Sequence, residues 1–187
     1  MGRRLPRTEG TIAAEGLRAA ATIRRDGWGI AHVSAESDED AAFALGFCHA
    51  QDRSFQLETM LRAARGTVSA LVGEQGPALA VDRVSRRIGF HRAAAAQVEA
   101  LSPVVRGVAE AYARGVNTAQ RRGGRRAHEF ALLRRRPTPW EAADVLGALK
   151  LLSFGLSTNW DMELGRLRVL ELDGAEAMRA VTASQLG

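Results

Sequence analysis

Only two stretches of this chain suit a β-strand, and they lie side by side near its N-terminal end. "LRAAATIRR" (residues 17–25) and "IAHVSA" (30–35) are β-compatible runs joined by "DGWG", a turn carrying Asp-Gly. From about residue 37 onward the periodic segments have helical spacing, so no further strand is expected to widen the sheet. A two-stranded hairpin alone is marginal in water and needs more strands or a packing surface. The hairpin is therefore expected to join a sheet supplied by a second polypeptide, and the chain reads as part of a larger protein. That it stops at "SQLG" without a polar tail fits the same expectation.

The helical part has clear punctuation. Ser37 is a good N-cap with Asp40 three residues on, followed by a stripe of Phe43, Phe47, Ala50, Leu57 and Leu61. This helix is expected to run to Arg65, stop at Gly66 and bend at Gly46. A second covers about 78–88 and ends at Gly89. "SPVVRGVAEAYARGVNTAQ" opens with Ser102 as cap and Pro103 at N1, with Val105, Val108, Tyr112 and Val116 on one face. "TPWEAADVLGALKLLSFGLS" reads as a full capping box, with Thr138 as N-cap and Glu141 at N3. "WDMELGRLRVLEL" and "GAEAMRAVTASQ" complete the set. The expectation is one domain over 1–187: residues 1–10 flexible, 11–36 stranded, 37–187 helical.

At 187 residues the chain suits one domain with a sizeable core, and its 46% hydrophobic and 25% charged content is that of an ordinary globular protein. No window approaches the ~18 apolar residues of a membrane span, so no membrane partner is expected. "MGRRLPRTEG" is charged but has no apolar h-region behind it. A cytoplasmic location follows, or a secreted or periplasmic one if a leader has been removed. The single cysteine excludes an internal disulfide framework. The net charge of +5 invites a nucleic-acid reading. Against it, the basic residues are nearly all Arg, are scattered or in the short runs "RRGGRR" (121–126) and "RRR" (134–136), and aromatics are only 5%. Both runs read as solvated surface.

"GFCHAQDR" (46–53) places a cysteine, a histidine and an aspartate within five residues. On a helix successive residues point about 100° apart, so Cys48, His49 and Asp52 cannot converge on one substrate atom. Cys48 sits in an apolar stretch with no cluster of bases to lower its pKa, and reads as a small buried hydrophobe. His49 reads as a helix-packing histidine, and Asp52 with Arg53 as a structural ion-pair or capping set. The four histidines lack metal-ligand spacing, and no G-x-S-x-G, Walker or Rossmann pattern occurs. Taken alone, the chain lacks a credible nucleophile–base pair.

The stretch from Arg25 to Glu74 resembles the opening of the penicillin acylase family. That family begins with an R-D-x-[WY]-G-[IV]-x-H-[IV] strand pair. A helix bearing A-x-G-[FY]-x-H-A-Q-D-R-x-[FW]-Q-[LM]-E follows, then a short helix ending in G-E. The similarity continues through "AYARGVNTAQ" (111–120) and residues 128–168, and so covers nearly the whole chain. The resemblance implies an N-terminal-nucleophile hydrolase, made as one precursor that cuts itself into a small α and a large β subunit. It implies an α+β fold: a mainly helical small subunit whose N-terminal hairpin completes an αββα sandwich with the large subunit. The implied activity is hydrolysis of the linear amide of an N-acylated small molecule. The nucleophile, the base and the oxyanion hole would all belong to the β subunit, with no catalytic residue in this chain. The acyl substrate could be a β-lactam side chain, an N-acyl-homoserine lactone, a lipopeptide tail or a biosynthetic intermediate.

For this chain the resemblance implies one wall of the acyl pocket, placed on Ser153, Leu156 and Ser157 with Trp160 at the rim. Ser153 and Ser157 are i, i+4 and share a face. The competing reading is a helix packed on the large subunit with its serines bonded to backbone carbonyls. Glu163 falls where relatives place a small-subunit carboxylate on a structural calcium ion, against an ion pair with Arg166 or Arg168. No cofactor is implied for catalysis. The alternative function is a free-standing basic helical module for protein or nucleic-acid binding.

Overall fold

The computed structural model describes residues 9–74, 76–122, 127–157 and 159–183. Most of the expected flexible N-terminus (1–10) and four residues of "RRGGRR" lie outside the described residues. Strands β1 (Thr22–Arg25) and β2 (Ala31–Ser34) form an antiparallel pair, with Thr22 opposite Ser34 and Arg25 opposite Ala31. Eight helices follow among the described residues: α1 Asp38–Arg65, α2 Ser69–Val72, α3 Ala78–Ile88, α4 Phe90–Ala100, α5 Pro103–Arg122, α6 His128–Leu132, α7 Ala142–Leu156 and α8 Trp160–Ala183. The architecture is α+β, mainly helical with one small N-terminal sheet, as the sequence led us to expect. The chain divides into two compact units, residues 1–151 and 152–187.

The first unit is organised by α1 against α5. The stripe Phe43, Phe47, Ala50, Leu57 and Leu61 is buried as its period predicts, and all but Phe43 cluster with Ala113, Val116, Ala119, Trp140 and Ala148. The expected face of α5 is partly rotated. Val116 is fully buried, but Val105 is half exposed and the inner face is made largely of Ala109, Ala113, Gly115 and Ala119. Small residues are inside because the two backbones nearly touch. A Cβ at Gly46 would overlap the carbonyl oxygen of Tyr112, and one at Gly115 would overlap that of Phe43.

This contact also corrects the expected bend. Gly46 stays helical and serves the close approach, while α1 breaks at Arg53, whose φ of −136° and ψ of 34° are not helical. Both ends of α1 match the sequence reading. Ser37 Oγ accepts from the Asp40 amide at 3.1 Å, and Gly66 closes the C-terminus with a left-handed φ of 65°.

Three further expectations are corrected. Strand β1 begins at Thr22 and not at residue 17, because the carboxylate of Asp40 takes the amides of Arg18 (2.9 Å) and Ala19 (3.1 Å). Those two consecutive amides point into the N-terminus of α1 and not along a ladder. Helix α7 begins at Ala142, and Thr138 is not its cap. Thr138 gives both its amide (2.7 Å) and its hydroxyl (2.8 Å) to Glu58, a carboxylate with no solvent exposure. The first turn of α7 is instead satisfied by Asp144, which accepts the Glu141 amide at 2.8 Å. Helices α4 and α6 were not expected. The alanine run of α4 has high helix propensity but no apolar stripe to signal it, and α6 is barely more than one turn.

Candidate functional site

Residues 46–53 form a joint between α1, α5 and the hairpin. Gly46, Phe47 and Cys48 face inward, and burial pushes the Cys48 thiol above its ordinary value, the reverse of nucleophile activation. His49 Nδ1 meets the Tyr112 hydroxyl at 2.8 Å, edge-on to its ring, which ties α1 to α5. Gln51 and Asp52 both reach the hairpin. Arg25 donates to Asp52 Oδ2 (3.0 Å) and Oδ1 (2.8 Å), and to Gln51 Oε1 at 3.3 Å. The expected ion pair of Asp52 exists, but its partner is Arg25 and not Arg53.

Three buried carboxylates, invisible as a set in the sequence, brace the same unit. Asp144 is held by a bidentate pair with Arg65, both bonds at 2.7 Å. Glu58 also receives Arg62 Nε at 2.8 Å. Asp82 accepts from the Val68 amide (2.6 Å) and from the Ser69 amide and hydroxyl. Burial alone would raise the Asp82 pKa, and these hydrogen bonds outweigh it and leave it lowered. Asp144 lies in the first turn of α7 and Asp82 in the second turn of α3, whereas Glu58 lies inside α1 with no end nearby to signal it. A cavity of about 380 Å³ lies between residues 9–25 and α1, lined by Leu17, Ile23, Phe43 and Phe47 among others. Two of its polar liners, Arg25 and Gln51, are bonded to each other.

The five residues singled out for substrate and metal all fall in the second unit. Ser153 and Leu156 lie on the last turn of α7, and both are exposed, Leu156 at 80%. The Ser157 hydroxyl donates back to the Ser153 carbonyl at 2.9 Å, so it is occupied by helix backbone. Trp160 opens α8, half exposed, and stacks on Phe154 with ring centroids 6.2 Å apart. Leu164, Leu167 and Leu172 of α8 are also exposed. Glu163 is exposed and pairs with Arg166 at 2.7 Å. No group of three or more His, Cys, Asp or Glu side chains that could hold a metal is found among the described residues. A hard cation wants about six to eight oxygens, so an ion at Glu163 would draw nearly all its ligands from outside this chain.

The class these features define is a mainly helical chain with one two-stranded sheet among the described residues, whose single thiol is buried with its pKa raised. Residues 20–185 match the penicillin amidase family model, and the chain belongs to that family. It is 35% identical over 171 residues to the penicillin acylase 2 proenzyme of Pseudomonas sp. strain SE83, covering 91% of this chain and 22% of that protein. It is 32% identical over 179 residues to the acyl-homoserine lactone acylase QuiP of Pseudomonas aeruginosa, covering 95% and 21%. Its fold matches a solved thermostable penicillin G acylase from Alcaligenes faecalis at a TM-score of 0.67 and 27% identity, covering 87% of this chain and 88% of that one. The chain thus spans about a fifth of the length of these curated relatives. Members of the family are acylases.

Proposed function

We propose that this chain is the small subunit of an N-acyl amide hydrolase, and that its partner is a large subunit cut from the same precursor. The observation that carries this reading is a mismatch of lengths. The chain covers 22% of a protein named as a proenzyme, yet 88% of one chain of a solved penicillin G acylase. Division of the polypeptide accounts for both. The two-stranded sheet and the exposed leucines of α8 favour the same reading, since a larger partner would complete the one and cover the other.

In this proposal the large subunit opens with the nucleophile, whose own α-amino group takes the hydroxyl or thiol proton. An α-amino pKa near ~7.7–8.0 leaves a useful neutral fraction at working pH. Attack on the substrate amide carbonyl gives a tetrahedral oxyanion held by preorganised donors; its collapse breaks the C–N bond as the α-ammonium returns the proton to the departing amine, and water then hydrolyses the acyl-enzyme to the free acid and the restored nucleophile. This chain contributes a wall of the acyl pocket from Ser153, Leu156 and Ser157, with Trp160 at its rim. Their small or flexible side chains suit a roomy pocket for an acyl tail. Glu163 gives one carboxylate to a structural calcium ion completed by the large subunit, releasing Arg166 to do so. The acyl donors are N-acyl-homoserine lactones, β-lactam side chains, lipopeptide tails or acylated biosynthetic intermediates.

The full reading frame should yield two co-purifying fragments, the larger beginning at Ser, Thr or Cys by mass spectrometry. The pair should hydrolyse at least one member of an acyl-length series of amides. A single uncut polypeptide with no amidase activity across that series would refute the assignment.

A further inference from the structure

Trp28 sits at the hairpin turn with 92% of its surface exposed, and Ile30 beside it is 59% exposed. A methyl group added at Gly27 or Gly29 would meet nothing within 4 Å, so no other described residue packs on the tip at either position. An exposed aromatic on a surface turn is commonly carried on loose backbone, but the backbone that carries this one is pinned. Asp26 Oδ1 accepts the amides of Trp28 (2.9 Å) and Ile30 (3.0 Å), while Asp26 Oδ2 meets His32 Nε2 at 3.0 Å. The Asp26 amide donates to the Ile30 carbonyl at 3.1 Å, and the Gly29 amide to the Asp26 carbonyl at 3.0 Å. Arg25 Nη1 donates to the Gly29 carbonyl at 3.1 Å while gripping Asp52 and Gln51 of α1. The bonds run unbroken from the scaffold helix to the tip.

Such rigidity does nothing to bury Trp28 within this chain. It does remove the ordering cost that a mobile loop would meet on binding. Tryptophan is also the side chain most enriched at the centres of interfaces, where it fills a desolvated pocket. We infer that residues 26–30 are a preformed anchor, seating Trp28 and Ile30 in an apolar socket on the rest of the precursor. The occupant is argued from length and position. The curated relatives carry nearly four-fifths of their sequence outside the matched region, and the tip belongs to a hairpin that has no third strand among the described residues. The inference rests on the proposed two-subunit enzyme.

Hydroxyl-radical footprinting of the full-length protein, with mass-spectrometric readout at Trp28, tests it without any mutation. Trp28 should be oxidised at least about tenfold more slowly in the native protein than in urea. In purified two-fragment protein, Trp28→Ala should weaken fragment association in a dilution series by about tenfold or more, with Trp28→Tyr recovering most of it. Native oxidation at the unfolded rate overturns the anchor, as does protection that appears only when an acyl amide is added. The two proposals fail separately. Protection in a protein that neither divides nor hydrolyses amides keeps the socket and sinks the enzyme, and the converse sinks the socket alone.

Discussion

Replacing Gly115 by alanine tests the contact on which the first unit is built. In an exposed helix interior this change would stabilise by roughly 0.5–1 kcal/mol, because alanine restricts the unfolded chain. Here the new methyl would overlap the Phe43 carbonyl oxygen, lie 2.8 Å from the Phe43 carbonyl carbon and 3.0 Å from the Phe47 nitrogen. All three are backbone atoms of α1 and cannot rotate away, so the helices must separate by about 1 Å. Separation loosens Phe47, Ala113 and Val116 together, and overpacking of this kind costs about 1–3 kcal/mol or somewhat more. Net of the propensity gain, the loss is about 1–2 kcal/mol. For a domain of this size that lowers the melting temperature by roughly 2–8 °C. Scanning calorimetry of the full-length protein, wild type beside variant, reads the shift. Gly46→Ala should act alike, and the double variant should cost less than the sum, because one separation relieves both clashes. A melting temperature that stays level or rises with Gly115→Ala would refute the close-approach argument.

Asp144→Asn should destabilise by about 3 kcal/mol, since it leaves Arg65 half-buried beside a neutral amide, and Arg65→Lys should lose part of that through the missing bidentate geometry; urea unfolding midpoints compare them. The Asp26 pKa is held below its ordinary 3.8 by the hydrogen bond from His32 and by the amides of Ile30 and Trp28. A lowered folded pKa gives stability that is present above the unfolded value and lost as the pH falls through the folded one. Amide exchange at Trp28 and Ile30, corrected for intrinsic rates, should therefore hold steady from pH 7 to about 4 and accelerate below. Cys48 should resist alkylation in the native protein at pH 8 and react at the rate of a free thiol in denaturant, because burial both covers the sulfur and raises its pKa. Rapid native labelling would contradict its placement.

Period and punctuation determined much of this protein before any coordinates. The apolar stripe of α1, the stops at Gly66 and Gly89 and the Asp-Gly hairpin depend on contacts a few residues apart, and they were legible for that reason. So was the burial of Cys48, which follows from its place on the apolar face of a helix. What pairs with what was decided only in three dimensions. Thr138 looked like a cap and became the lid on Glu58, 80 residues away; Gly46 looked like a hinge and became a seat for the Tyr112 carbonyl. Asp52 found its cation at Arg25, on the far side of a turn. The first two choices weigh a local preference against a buried carboxylate or a backbone crossing elsewhere in the chain, and burial makes the distant partner win; Asp52 is settled by geometry, since Arg25 meets both its oxygens. In the second unit Ser153 and Leu156 are exposed and Trp160 half exposed, although their helical spacing was legible in the sequence; exposure depends on tertiary neighbours and not on period.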